Sequence, residues 1–420
     1  MKQHLLFTFL VLTMISCSES TTQCYPEQLQ CEYLVNPLGI DEANPRLKWK
    51  LNDTRVGAIQ QAYKLCVGTD SAKVLNGDGN MWNSQKVNSE KMLVSYNGKP
   101  LEPFTKYYWT VQVWDKDGNA SSNSEVASFE TGMMQTKNWK GAWISDTRDI
   151  NLKPAPYFRK EFEVKKKIKS ARAYVAVAGL YEFYLNGKRV GDHQLDPMYT
   201  RFDRRNLYVT YDVTSHLSEE NNAIGILLGN GWYNHQSTAV WFFDEAPWRA
   251  RPRFCLDLRI TYEDGSTEII STDKNWKTSL SPIIFNSIYT AEHYDARLEQ
   301  PGWNENNFDE SGWEESILAS APSQNIVSQT MHPIRNVEEI TPKSIRKINS
   351  KKYLFDLGRN ISGVSRIKVN GESGTILRLT HAEKLDSNGE IDQSNIDLHY
   401  RPTDDTDPFQ TDIYLSLIHI

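Results

Sequence analysis

The chain has 420 residues, too long for a single small module and, at about 150 residues per domain, a prior of nearly three domains. With 47 Lys plus Arg against 53 Asp plus Glu the formal charge is −6, and no long run of one sign offers a footprint for phosphate backbones, which argues against a nucleic-acid partner. Hydrophobic content of 39% and charged content of 24% are those of a folded chain, and the 12 Trp, 20 Tyr and 15 Phe suit large rigid cores and surfaces that stack on flat ligands or sugar rings.

The chain opens with Lys2, the mostly apolar stretch Leu5 to Ile15, then Ser16 and Cys17. A basic start, a short apolar segment and a small residue form an export signal, and the segment is shorter than the roughly 20 apolar residues of a spanning helix. Met14-Ile15-Ser16-Cys17 resembles a bacterial lipobox, with residues 1–17 the signal peptide and Cys17 the lipidation site. An ordinary cleaved signal with an incidental cysteine is the competing reading. Cys24, Cys31, Cys66 and Cys255 are too few and scattered for a disulfide framework. One pair, such as Cys31 with Cys66, suits an oxidising compartment, but the sequence does not choose the pairing.

The first module is expected over residues 24–134. Tyr107, Trp109, Val111 and Val113 alternate with Tyr108, Thr110, Gln112 and Trp114, the period-two pattern of a half-buried strand. Asp117-Gly118 then predicts a turn and a hairpin ending near Phe129. With strands around Leu47–Trp49 and Tyr63–Val67, this is the material of a two-sheet sandwich similar to a fibronectin type III or immunoglobulin-like module. Asp115-Lys116-Asp117-Gly118-Asn119 looks superficially like a calcium loop, but its glycine comes early and no glutamate closes it.

A second module is expected over 138–325. Tyr181 to Val190 reads as two strands about an Asn186-Gly187 turn, and Phe254 to Ser271 repeats the logic about Asp264-Gly265. Long helical stripes are missing and turn signals recur, so this is read as a jelly-roll sandwich. A third, incomplete β-sandwich is expected over 329–414, with strands at Tyr353–Phe355, Val364–Val369 and Thr375–Leu379. The fold class is therefore all-β, a tandem of β-sandwiches.

Compact catalytic motifs and a metal-ligating pattern are missing. The chemistry-bearing candidate is the segment 229–249, which concentrates Trp232, Tyr233, Trp241, Phe242, Phe243 and Trp248 among amides and charges. Aromatic faces stack on the C–H faces of sugars while a few polar groups orient the ligand. The candidate substrate-binding residues are Asn230, Trp232, Tyr233, Asn234, Trp241, Asp244 and Trp248, with Arg249 beside them; core packing of the same rings is the equal alternative. Glu292, Asp295, Asp356 and Glu383 lie near loop signals and read as turn or ion-pair residues.

Several blocks then carry a resemblance: Leu34–Asp41 with Pro45–Trp49, Phe158–Phe162, Gly179–Gly187, Tyr211–Thr214, Leu228–Tyr233, Tyr294–Arg297 and Phe355–Gly363 followed by His381–Glu383. Their order and spacing, from Cys31 to Tyr414, resemble the N-terminal modules of bacterial α-L-rhamnosidases of glycoside hydrolase family 78. The resemblance implies an exo-acting hydrolase that releases terminal α-L-rhamnose with inversion, through a general acid and a general base flanking the bond. In that family both carboxylates sit on a helical barrel that follows these β modules. No such region is present here, so the resemblance places no catalytic residue in these 420 residues and predicts them inactive alone.

It implies no required cofactor; calcium is an expectation for the jelly-roll module, with its ligands unassigned. The implied partners are a rhamnose-containing oligosaccharide or glycoside and, through the lipid anchor, a membrane, in the periplasm or at the outer-membrane surface. A non-catalytic carbohydrate-binding surface protein is the alternative. Leu415 to Ile420 resembles the translation of a transposon-end sequencing adaptor, which implies a non-native tail over 415–420.

Overall fold

A computed structural model describes residues 24–237, 239–401 and 409–416. The signal segment, Cys17 and positions 417–420 of the expected tail lie outside the described residues. The chain forms two compact units, one of residues up to Asn36 with 44–100 and 106–128, the other of 37–43, 101–105 and 129 onward. No helix among the described residues is long and apolar enough to cross a membrane.

In the first unit, strands Tyr25–Cys31, Arg46–Asn52 and Leu93–Ser95 form one antiparallel sheet. Ala62–Gly68 pairs with Lys106–Trp114 in the other, with Leu65 opposite Val111. The period-two expectation holds: Tyr107, Trp109, Val111 and Val113 are buried, and Trp49 of the first sheet meets Tyr63 of the second edge-on at 5.5 Å. Thr110 is buried as well, its hydroxyl donating to the Val74 carbonyl.

The expected turn forms at Asp115–Gly118, and after an irregular stretch the chain returns as strand Ala127–Glu130 beside Lys106–Trp114 in the same sheet, the expected hairpin. Ser121 donates its backbone N–H to the Val113 carbonyl and accepts the Val113 N–H on its hydroxyl, and Ser124 does the same for Val111. Serine hydroxyls thus stand in for backbone carbonyls at Val111 and Val113, in the stretch between the turn and strand Ala127–Glu130. Asp115 accepts from the Asn119 and Asp117 N–H groups and from Arg55, so the calcium-like segment is an ordinary turn held by a guanidinium.

The larger unit contains a sandwich of two sheets. One follows the order Lys188–Arg189, Leu180–Leu185, Asn221–Gly229, Pro156–Glu163, Lys277–Leu280, Glu314–Glu315. The other centres on Ile168–Ala178 between Arg253–Tyr262 and Asn206–Asp212. Both predicted hairpins form, with Asn186 at φ +50° and Gly187 at +77°, the positive values that a two-residue turn needs at both positions.

Phe158, Val175, Val177, Phe183, Ile224, Ile226, Phe254, Leu256 and Trp276 fill the space between the sheets. On the outer side of the second sheet, Tyr174, Ala176, Tyr208 and Cys255 pack with Met133, Trp143 and Tyr233. Ile168–Ala178 is therefore covered on both faces, which is why its sequence runs apolar from Ala173 to Ala178 instead of alternating. Cys31, Cys66 and Cys255 are buried, unbridged thiols, so Cys31 and Cys66 are not a disulfide here; burial pushes each thiol pKa up.

The same unit carries a four-stranded sheet ordered Ile283–Ser287, Ala291–Asp295, Thr411–Leu415, Ile376–Thr380. Its first hairpin comes from within the span expected for the jelly roll. Tyr353–Asp356 forms as predicted, paired with Ser344–Lys347. The predicted strand at Val364–Val369 does not form: it has no ladder partner among the described residues, and Val364 stands 88% exposed. A strand without a neighbour leaves its backbone groups to water, and the apolar composition of the segment alone does not supply one.

Candidate functional site

The segment 230–249 leaves the end of strand Asn221–Gly229 and folds over the hairpin Ile283–Asp295. Its base is a hydrogen-bonded frame. The Asn230 backbone N–H donates to Asn286 Oδ1 at 2.6 Å and its side-chain amide to the Asn286 carbonyl at 3.0 Å. The Asn234 amide donates to the Ile150 carbonyl and to Asn230 Oδ1, and its own oxygen accepts from Arg249 Nε. Arg249 also reaches the Asp244 carbonyl and Asn151 Oδ1, and burial pulls its pKa down. Ser237 bonds to the hydroxyls of Ser287 and Thr290. Loops with so many internal bonds hold their side chains in place before any ligand arrives.

On this frame the aromatic residues gather. Trp232 lies half-buried, tilted against Phe243 at 5.2 Å and edge-on to Trp241 at 6.4 Å. Trp248 completes the inner side, near Phe243 and Phe202, its indole N–H directed at the Trp232 carbonyl at 3.4 Å. Trp241 is 43% exposed and rests on Tyr289 at 4.8 Å and His399 at 5.5 Å. Phe242 is exposed, with the Arg401 guanidinium 5.0 Å from its ring. Tyr199 joins from a distant loop, edge-on to Trp232 and Phe243.

The candidate residues therefore divide. Trp232, Trp241 and Trp248 come together as one aromatic surface, with Asp244 at its rim; one Asp244 carboxyl oxygen is buried without a hydrogen-bond partner among the described residues. Asn230 and Asn234 are buried, and their amides are engaged by the frame. Tyr233 is buried in the core cluster under Arg253. Their work is to position the loop, so the surface open to solvent is made by Trp241, Phe242 and Tyr199.

Sequence reasoning missed Tyr199, His235, Tyr289 and His399, because three of them reach the cluster from segments remote in the chain. His235 is fully buried under Trp232, and burial lowers its pKa to about 4, so the ring is neutral at ordinary pH. No group of three or more His, Cys, Asp or Glu able to hold a metal ion occurs among the described residues.

The acidic residues named from sequence also separate. Asp295 accepts from the Arg297 N–H and pairs with its guanidinium at 2.7 Å, Asp356 accepts from the Gly358 N–H, and Glu383 accepts from the Asn395 amide. These are turn and pairing roles, as expected. Glu292 differs: it is exposed on its strand, yet loss of hydration against neighbouring protein atoms, with the Asp412 and Glu182 charges nearby, pushes its carboxyl pKa up to about 7.

Comparison with known proteins gives the same order of modules. Residues 26–135 match the Rha78A-like N-terminal immunoglobulin domain, 166–338 the alpha-L-rhamnosidase N-terminal domain, and 346–415 the bacterial alpha-L-rhamnosidase concanavalin-like domain. An alpha-L-rhamnosidase of Alteromonas sp. (strain LOR) is 35% identical over 423 residues, covering 96% of this chain and 45% of the relative. One from Formosa agariphila is 32% identical over 417 residues, 92% of this chain and 44% of the relative.

The solved alpha-L-rhamnosidase of Dictyoglumus thermophilum superposes with a TM-score of 0.84 at 37% identity, over 93% of this chain and 44% of that one. The Aspergillus terreus enzyme gives 0.82 at 29% identity, over 94% and 44%. The chain thus spans a little under half the length of the relatives it matches. By its module order and by its identity to these enzymes over nearly its whole length, the chain belongs to the bacterial α-L-rhamnosidase family, of which it carries the N-terminal β modules.

Proposed function

We propose that these modules are the accessory, glycan-recognising part of an exported, lipid-anchored α-L-rhamnosidase that removes terminal α-L-rhamnose by inversion. The observation that carries this reading is the three family spans in order along a chain that aligns to enzymes of that activity over more than nine-tenths of its length. Inversion requires an acid that protonates the leaving oxygen and a base that activates water on the opposite face. Neither role is assigned to a residue described here. The contribution of this part is binding: Trp241 offers a ring to the apolar face of a sugar, on a loop already ordered by Asn230, Asn234 and Arg249.

The anchor at Cys17 and a periplasmic or outer-membrane location follow from the signal segment, and calcium in the jelly roll stays an expectation without assigned ligands. The test is titration of the 420-residue protein with rhamnose-containing oligosaccharides. Affinity that Trp241→Ala abolishes and Trp241→Phe retains supports the reading; equal affinity in all three proteins, or none in the wild type, refutes it.

A further inference from the structure

The connector 329–335, which leaves strand Ile326–Ser328 toward the third module, is held to the loop 191–199 of the jelly roll by a row of polar contacts. Gln329 donates its amide to Asp196 Oδ1 at 3.0 Å and accepts the Met198 backbone N–H at 2.8 Å. The Gln194 N–H donates to the Ile334 carbonyl at 2.9 Å. Arg335 closes the row, its Nε 2.9 Å from Asp192 Oδ1 and its Nη2 3.2 Å from His193 Nε2.

That last contact fixes the state of His193. A guanidinium only donates, so Nε2 is the acceptor and the ring proton sits on Nδ1. Nδ1 stands 2.6 Å from Oδ2 of Asp196, a carboxylate only 2% exposed that also accepts from the Tyr211 hydroxyl. A second proton has one place to go, Nε2, where it sets a donor and a positive charge against Arg335. Asp192 Oδ1 lies 4.0 Å from the same Nε2, so the acceptor that Arg335 occupies is also the nearest new partner for a protonated ring.

The other groups around the imidazole do not compete for it. The Arg335 hydrogen bond holds the Asp192 carboxyl below its usual range, so it is ionised and available as an acceptor. Burial keeps the Tyr211 phenol protonated. Arg189 donates to the His193 carbonyl, away from the ring nitrogens, and its charge faces Glu182.

We propose that His193 is a proton-operated latch: neutral, it accepts from Arg335 and keeps the connector on the jelly roll; protonated, it takes Asp192 from Arg335 and frees the connector's end. One cation replaces another on the same exposed carboxylate, so the two states lie close in energy, and histidine is the side chain whose charge ordinarily changes between roughly pH 5 and 8. Strand Ile326–Ser328 stays in place, paired with Asn206–Tyr208 and held at the Ser328 N–H by Asp41, which confines the release to 330–335. The latch is independent of the glycan reading.

Hydrogen–deuterium exchange of the 420-residue protein at pH 8 and pH 5, with rates divided by the intrinsic amide rates, reads the latch at the Gln194 N–H and across 330–336. Wild-type protection there is expected to fall about fivefold or more at pH 5, the weight of one lost hydrogen bond. His193→Gln, uncharged at both pH values, is expected to lack that step. Asp192→Asn, at a position 70% exposed where folding is not at stake, is expected to be poorly protected at both. His332→Gln, which changes the exposed histidine of the connector itself, is expected to keep the wild-type step. Unchanged protection of the central strand Ile168–Ala178 shows that each variant is folded and that acid has not loosened the whole sandwich. No step in the wild type, the same step in wild type and His193→Gln, or loss of the step in His332→Gln overturns the proposal.

Discussion

The indole of Trp232 lies over the imidazole of His235, ring centroids 5.3 Å apart and planes within 24°, and both ring nitrogens of His235 are buried without a hydrogen-bond partner among the described residues. A neutral imidazole tolerates this place; an imidazolium does not. The folded pKa, lowered by burial to about 4, lies below the ordinary 6.5, so the folding contribution of this group is fully present above pH 6.5 and is lost as pH falls toward 4. The loss amounts to about 3 kcal/mol by pH 4. Urea unfolding of wild type and His235→Phe between pH 7 and 4 is expected to show a steeper decline in the wild type; parallel declines contradict the assignment.

Glu292 works in the opposite direction. Loss of hydration first, then the Asp412 and Glu182 charges, raises its carboxyl to about 7, whereas burial acts against the Asp412 charge but the His381 hydrogen bond and the Glu292 amide hold that pKa below the usual value. With a raised folded pKa the neutral carboxyl is favoured, so stability from this group is complete below pH 4.5 and declines as pH rises through 7. Glu292→Gln is expected to become more stable than wild type at pH 8 by on the order of 1 kcal/mol, less than the shift alone implies because the residue is exposed to water. Carbon-13 titration of the Glu292 carboxyl gives the direct check, with a midpoint near 7 expected and one near 4.5 ruling this out.

Arg159 is a fully buried guanidinium that donates to the carbonyls of Trp303 and Glu305 and pairs with Glu161 and Glu310. It ties the strand Pro156–Glu163 to the loop 303–310, where Tyr157 stacks on Trp303 at 3.9 Å. Arg159→Met keeps much of the volume and strands both carbonyls. A loss of about 3 kcal/mol in denaturant unfolding is expected, the scale of breaking a buried pair from one side; a change under about 0.5 kcal/mol, the range of an ordinary surface substitution, contradicts this role.

The loop frame and the loop surface are separable. Asn286→Ala leaves the Asn230 N–H buried without its acceptor and is expected to cost about 1–3 kcal/mol in thermal unfolding. Trp241→Ala removes an exposed ring and is expected to change stability by less than about 1 kcal/mol while lowering saccharide affinity. If the order is reversed, with Trp241 the stabilising residue, the aromatic surface is packing and not a ligand platform.

Features encoded within a few residues were legible from the chain. The Asn186-Gly187 and Asp264-Gly265 hairpins follow from turn chemistry, and the inward set Tyr107, Trp109, Val111 and Val113 follows from period two. The role of Asn230 and Asn234 was not, because their partners Asn286 and Ile150 stand 56 and 84 residues away and a buried scaffold amide reads like a sugar-binding one. Glu292 looked like any loop acid, since what distinguishes it is Asp412, brought alongside by the parallel pairing of Ala291–Asp295 with Thr411–Leu415. Val364–Val369 had strand composition without a neighbouring strand to complete it.

The central claim, that these β modules recognise glycans and do not themselves cleave them, is tested most directly by incubating the folded 420-residue protein with an aryl α-L-rhamnoside and following release of the phenol. No release above the buffer rate is expected at any pH between 4 and 8. Steady turnover that scales with protein concentration would place a competent acid and base within these residues and contradict the account.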